Sequence, residues 1–212
     1  ILVTGSTGFI GRALLPAALS TSDQVAVVVR RPESASPREV QQIVSSGIDL
    51  VDRIAEYSPD VVIHLATHFV ADHRPGDIPE LVSANVEFGT LLLEGATACG
   101  ARVLTVSSAW QHVDGAEYAP VSLYAATKQA LADIARYYIE VKALDIRDVT
   151  LFDTYGPGDT RQKLVPLLLA AAASGEALDM SDGGQLIDLT FVEDVASGLL
   201  HAALDLSLIH IS

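Results

Sequence analysis

Ile1-Leu2-Val3-Thr4-Gly5-Ser6-Thr7-Gly8-Phe9-Ile10-Gly11 is the stretch on which the reading of this chain turns. Ile1–Thr4 is a short apolar run of β-branched character, glycines follow in the pattern Gly-x-x-Gly-x-x-Gly, and Arg12–Leu19 continues with helical periodicity. Strand, glycine turn, helix is the order in which a dinucleotide fingerprint is built. Gly5 permits the tight turn, Gly8 lets backbone approach a pyrophosphate, and Gly11 allows the helix to pack closely on the strand. A phosphate then sits at the helix N-terminus, on free N–H groups and the positive end of the dipole. We therefore expect the turn formed by Gly5, Thr7, Gly8, Phe9, Ile10 and Gly11 to hold a dinucleotide.

The next strand, Gln24–Val29, ends on Arg30-Arg31. An NAD site usually carries an acid at this place for the ribose 2′-hydroxyl, whereas an Arg accommodates a 2′-phosphate. No acid occurs before Glu33, so the expected cofactor is NADP(H) rather than NAD(H). The alternative is two solvated loop arginines. Farther along, Val40–Val44 is strand or helix, its period not deciding, after a polar loop at Pro32–Pro37. Asp49–Tyr57 reads as an amphipathic helix, Val61–Ala66 as a buried parallel strand, and Pro79–Cys99 as a helix. Leu65, Ala66 and Thr67 follow the strand's apolar centre, and the small residues there let a cofactor ribose approach the backbone. His64, inside the strand, is expected to be a satisfied core histidine. His68, Asp72 and His73 lack any regular ligand spacing, so no metal is expected.

Arg102–Ser107 is a further apolar strand with Ser107-Ser108 at its carboxyl end, where open α/β sheets bind ligands. Ser122–Leu144 reads as one long helix carrying Tyr124 and Lys128 one turn apart on one face. An ammonium there lowers a phenol's pKa by favouring the phenolate. Arg161–Ser174 reads as a helix, Ser181–Gly184 as a turn, Leu186–Val192 as a strand and Glu193–Leu204 as a final amphipathic helix.

The formal charge of −14 repels phosphate backbones and anionic lipid, so nucleic-acid and membrane-surface binding are not expected. The apolar run Leu164–Ala173 is too short to span a bilayer and contains Pro166. Cys99 is alone, so no intrachain disulfide forms and a reducing compartment is the simplest expectation. With no signal peptide visible, we expect a soluble cytoplasmic protein.

With these marks in place, the sequence resembles the extended short-chain dehydrogenase/reductase family, which comprises nucleotide-sugar epimerases, dehydratases and reductases. The resemblance rests on Thr4–Gly11, His64–Ala66, Asn85–Thr90, Ser107-Ser108, Tyr124–Lys128 and Tyr155–Gly158, and it covers essentially residues 1–204. Within the family, Trp110–His112, Leu123–Gln129 and Phe152–Gly156 are most similar to the CDP-4-keto-sugar reductases of the CDP-abequose and CDP-paratose synthase type. The resemblance implies an α/β fold: a Rossmann-type doubly wound parallel sheet over residues 1–155, with a partial, smaller substrate-binding domain over 156–212. It also implies that the chain is truncated; 206–212 is similar to translated adapter sequence.

The same resemblance implies that Tyr124 is the general acid and that Lys128 lowers its pKa and binds the nicotinamide ribose. It implies that Ser108 donates to the substrate carbonyl and that Asn85 and Phe152 lie near the cofactor. Trp110 and Gln111 belong on the substrate side, and Arg161 and Lys163 are candidates for the substrate's phosphates, a solvated helix start being the alternative. Related folds carry an adenine-contacting Asp where this chain has Ser45-Ser46. Family dehydratases follow the hydroxyl residue with Asp-Glu, whereas this chain has Ala109-Trp110, neither able to transfer a proton. NADP(H)-dependent reduction of a nucleotide-activated 4-keto-deoxysugar is the first expectation, in a homodimer. The alternatives are a nucleotide-sugar 4-epimerase with tightly bound NAD and a non-catalytic dinucleotide sensor.

Overall fold

The computed structural model describes residues 1–33, 37, 39–45, 47–113, 116–161, 163–180, 182–184 and 186–205. Ser46, Ser181 and the segment 206–212 lie outside the described residues, as do 34–36 within the loop after Arg31. The chain begins with β1 (Leu2–Thr4), α1 (Phe9–Thr21), β2 (Ala26–Val29) and β3 (Gln41–Val44). It continues through α2 (Asp49–Tyr57) and β4 (Val61–His64). Next comes a helical rod made of α3 (Ile78–Val82), a wide π turn (Ser83–Glu87) and α4 (Phe88–Cys99). β5 (Arg102–Ser108), α5 (Leu123–Lys142), β6 (Ile146–Leu151) and β7 (Asp153–Tyr155) follow, then α6 (Leu164–Ser174), β8 (Leu189–Phe191) and α7 (Val192–Leu204).

Six parallel strands form one sheet in the order β3-β2-β1-β4-β5-β6, the doubly wound arrangement. Successive residues of a strand point to opposite faces, and both faces here are covered. Leu2, Val28, Val62 and Val103 pack with Leu50, Ile54, Leu92, Leu93, Leu131 and Tyr138 on the side of α2, α4 and α5. Val3, Val27, Ile63 and Leu104 pack with Leu14, Ala18, Val195 and Leu199 on the side of α1 and α7. This alternation explains why the strands read as unbroken apolar runs. Ladder bonds to β2 settle Val40–Val44 as strand over Gln41–Val44.

Three elements differ from the sequence expectations. The helix expected from Arg161 starts only at Leu164, because Arg161 and Lys163 are drawn into ion pairs with Asp159 and Asp153 at 2.7 Å each. The strand expected over Leu186–Val192 is limited to Leu189–Phe191, which pairs with the three residues of β7. The rod between Ile78 and Cys99 widens into the π turn at its middle.

α7 packs on α1 and reaches across β4, β5 and β6. Its last carbonyls lack partners within the helix, and the guanidinium groups of Arg147 and Arg102 donate to Ala202 O at 2.7 Å and Ala203 O at 3.4 Å. Residues 192–204, which the family resemblance assigns to the substrate side, thus complete the core of the six-stranded sheet. Among the described residues no helix is long and apolar enough to cross a membrane.

Candidate active site

The carboxyl ends of β1, β2, β4 and β5 open on a cleft of about 990 Å³. The glycine turn forms its floor. Gly5 sits at φ +70°, and a Cβ there would lie 2.6 Å from Ala66 N. A Cβ on Gly11 would lie 2.1 Å from Gly5 O, so both positions exclude any side chain. Gly8 differs: an added Cβ would meet only Gly5 O, at 3.2 Å. Gly8 also caps α1 without a side-chain hydrogen bond, and the first turn carries no acid. Uncapped N–H groups at the positive end of a thirteen-residue helix, facing a backbone free of side chains, fit a pyrophosphate.

Gly5, Thr7, Gly8, Phe9, Ile10, Gly11, Arg30, Arg31, Leu65, Ala66, Thr67, Ser108, Trp110, Tyr124, Lys128, Phe152, Arg161 and Lys163 all line this cleft. Asn85 and Gln111 do not. Asn85, 2% exposed, is turned inward by the π turn. Its Oδ1 accepts from Thr67 Oγ1 at 2.9 Å and His68 N at 2.7 Å. Its Nδ2 donates to His68 O and Thr127 Oγ1, each at 2.9 Å. All four of its hydrogen-bonding positions are filled, and the loop after β4 is thereby tied to α5 between Tyr124 and Lys128. Gln111 is 1% exposed and is bonded to Ser108 N–H, away from the cleft lining.

Lys128 is buried, and its Nζ donates to Val106 O at 2.8 Å. Burial lowers its pKa to about 8, with Asp148 pulling the other way. The sequence reading had Lys128 lowering the Tyr124 phenol; here the phenol is pushed up. Burial raises it, against smaller opposing pulls from the Thr67 hydroxyl and the Arg161 charge, while the Lys128 ammonium is turned to the strand carbonyl. A raised phenol holds its proton through neutral pH, as a proton donor must. Ser108 Oγ accepts from Trp110 N at 3.3 Å, which leaves the hydroxyl's own proton to donate.

His64, expected to be a satisfied core histidine, has a partner on one nitrogen. Nδ1 lies 2.8 Å from Thr4 Oγ1, whereas buried Nε2 has no partner among the described residues. The ring lies against Phe88 and Gly89, which offer no side-chain acceptor. Burial, then the Lys128 charge, lowers its pKa to about 3. Ser45, at the end of β3, lines the cleft and donates to Asp49 Oδ1 at 2.8 Å.

Sequence reasoning passed over Phe69, Glu80 and Asp153. The Phe69 ring stands edge-on to Tyr124 at 5.0 Å and to Trp110 at 5.4 Å. Lys163 Nζ, held by Asp153, lies 4.3 Å from the centre of the Trp110 ring. Arg161 is clamped by both oxygens of Asp159, donates to Thr154 O at 2.7 Å, and stacks 4.5 Å over Phe9 of the glycine turn. Phe69 lies in a loop, and Glu80 and Asp153 lie in elements of five and three residues, too short to show a period. Among the described residues no cluster of His, Cys, Asp and Glu could hold a metal ion.

A glycine cradle, a hydroxyl at a strand end and a phenol and an ammonium one turn apart on the following helix define an NAD(P)-dependent enzyme of the extended short-chain dehydrogenase class. The model of the NAD dependent epimerase/dehydratase family matches residues 1–208, and the chain belongs to that family. It is 26% identical over 207 residues to a CDP-abequose synthase of Yersinia pseudotuberculosis, covering 95% of this chain and 72% of that protein. It is 28% identical over 233 residues to a dTDP-glucose 4,6-dehydratase of Neisseria meningitidis, covering 94% of this chain and 66% of that one. The structure of MoeE5 in complex with UDP-glucose and NAD is similar at 28% identity and TM-score 0.80, over 98% of this chain and 72% of that chain.

Proposed function

We propose that this protein reduces the 4-keto group of a nucleotide-activated deoxysugar with NADP(H). The observation that carries the reading is the set of groups beside Ser108. Ala109 and Trp110, which follow it, cannot transfer a proton, and Asp153, the carboxylate lining this end, is held by Lys163 at 2.7 Å. Elimination of water needs a free acid and base here; carbonyl reduction needs only a proton donor and a hydrogen bond to the oxygen. Phe69, Trp110 and Phe152 offer ring faces suited to a sugar poor in hydroxyls. Similarity to a CDP-abequose synthase supports the same reading. Arg30 and Arg31 at the end of β2 support NADP(H).

When bound, the nicotinamide supplies hydride to the carbonyl carbon. Tyr124 gives its phenolic proton to the carbonyl oxygen, a role typically contributing about 10²–10⁴-fold. Ser108 donates a hydrogen bond to that oxygen as charge develops on it. Lys128 supplies positive charge under the site and donors for the ribose hydroxyls. The amides of the Gly5–Gly11 turn would hold the pyrophosphate. Trp110, Arg161 and Lys163 face the substrate. In this reading residues 1–155 hold the dinucleotide and residues 156–212 begin the substrate side, with α7 returning to the sheet.

Incubation with NADPH and a panel of nucleotide-4-keto-6-deoxysugars, followed at the nicotinamide absorbance, is expected to show stoichiometric NADPH consumption with one of them. Interconversion of 4-hydroxy sugars without NADPH consumption would overturn the reading and leave an epimerase. Tyr124→Phe is expected to abolish turnover while dinucleotide binding persists.

A further inference from the structure

β2 and β4 flank β1 in the sheet, so groups following them face each other over the glycine turn. Arg30, just after β2, and Glu80, on α3 beyond β4, meet there: Nη1 lies 3.7 Å from Oε1. The same carboxylate oxygen lies 3.8 Å from His68 Nδ1. Both Arg30 and Glu80 line the cleft, and both side chains are solvent-exposed, at 82% and 56%. Arg31, next in sequence, pairs with no acid among the described residues. This end of the cleft therefore carries two arginines, of which one is already claimed by a carboxylate from the opposite wall.

We propose that Glu80 is a specificity-determining residue that sets how strongly the cleft distinguishes a dinucleotide bearing a 2′-phosphate from one without it. The proposal rests on the NADP(H) reading above. A 2′-phosphate and the Glu80 carboxylate are both anions that seek the Arg30 guanidinium. The phosphate carries more charge and forms the stronger forked bonds, so it displaces the carboxylate. The carboxylate nonetheless repels it and competes for the same donors. A 2′-hydroxyl makes no such demand on Arg30, so its binding is nearly indifferent to Glu80. Glu80 thus tempers the preference that Arg30 and Arg31 create, keeping the two cofactors closer in affinity than the arginines alone would.

The test is calorimetric titration of the protein with NADP⁺ and with NAD⁺, without substrate, for the parent chain, Glu80→Gln, Arg30→Leu and the double variant. Glu80→Gln is expected to tighten NADP⁺ by about fivefold and NAD⁺ by less than about twofold, as befits an exposed charge pair, with the gap narrowing in salt. On the Arg30→Leu background the same substitution is expected to move the NADP⁺ to NAD⁺ ratio clearly less, only the direct repulsion between carboxylate and phosphate being left to relieve. Equal effects of Glu80→Gln on both cofactors, or none, would overturn the proposal. Selective weakening of NAD⁺ would also overturn it, and would make Glu80 a direct ribose ligand. If Arg30→Leu leaves the ratio unchanged, the NADP(H) reading falls and this proposal with it. If Arg30→Leu shifts the ratio and Glu80→Gln does not, only the role of Glu80 falls.

Discussion

The side-chain oxygen of Gln111 accepts a 2.8 Å hydrogen bond from the backbone N–H of Ser108, closing the short turn that follows β5. The other end of that amide donates to Gln129 Oε1 at 3.0 Å, one residue beyond Lys128 on α5. Gln111 therefore fixes the distance between the strand end bearing Ser108 and the helix bearing Tyr124. Gln111→Ala leaves a buried N–H without a partner, at a cost of about 1–3 kcal/mol. We expect kcat to fall about tenfold or more with KM little changed. Gln111→Glu keeps the acceptor for Ser108 N–H but sets a second oxygen against Gln129 Oε1, so it should recover only part of the rate. A loss confined to thermal stability would remove the positioning role.

The glycines of the first turn should separate by function. Gly11→Ala forces a methyl into Gly5 O and should fail to give a cooperative thermal transition near that of the parent. Gly8→Ala meets one carbonyl at a distance a small backbone shift can relieve. It should fold normally yet bind dinucleotide weakly, because its methyl projects where a pyrophosphate must approach. Dinucleotide titration alongside a thermal melt distinguishes the two, and equal behaviour in both measurements would count against the cradle.

Lys128 makes stability depend on alkali. Its folded pKa of about 8 lies below the ordinary 10.5, chiefly through burial. Below pH 8 both folded and unfolded chains carry the charge, and the burial cost is fully present. Between about 8 and 10.5 the unfolded chain binds the extra proton, so stability rises with pH through that window. Relative to Lys128→Met, the parent should gain on the order of 3 kcal/mol across it, read from denaturant melts at pH 7.5 and 10. No relative gain would mean that the ammonium is not desolvated as described.

His64 works in the acid range with the same sign. Its folded pKa of about 3 lies below the ordinary 6.5, because burial, and then the Lys128 charge, disfavour the imidazolium. Its contribution is complete above pH 6.5 and is lost as pH falls from 6.5 toward 3, where only the unfolded chain takes up the proton. The parent should therefore lose more stability than His64→Asn between pH 6.5 and 4.5 in urea melts. Parallel losses would show that the ring has access to water.

Much of this architecture was legible because strands buried on both faces leave unbroken apolar runs, as at Val25–Val29 and Val61–Ile63. The glycine turn was legible because two of its three positions admit no side chain at all. Helical spacing and a strand-end position brought Ser108, Tyr124 and Lys128 forward, the family resemblance implied their roles, and the fold brings them to one cleft. Phe69, Glu80 and Asp153 escaped notice because a loop and elements of five and three residues carry no readable period, and only tertiary packing brings them to the cleft. Gln111 was assigned to the substrate side for its neighbours in sequence, yet its amide is spent on Ser108 N–H and Gln129. The direction of Tyr124's shift was misjudged because spacing on a helix gives proximity to Lys128, while the partner Lys128 selects, Val106 O, lies on another element.

The π turn at Ser83–Glu87 depends on partners outside its own helix. A widened turn is disfavoured in an isolated helix, and such turns are rare and tend to occur at functional sites. Left alone, the segment 78–99 has no reason to make one. Asn85 gains its four partners only once the loop at Thr67–His68 and the helix at Thr127 have arrived. The geometry of this wall is therefore not a property of the rod's own sequence; it is imposed from outside by the groups that Asn85 must satisfy.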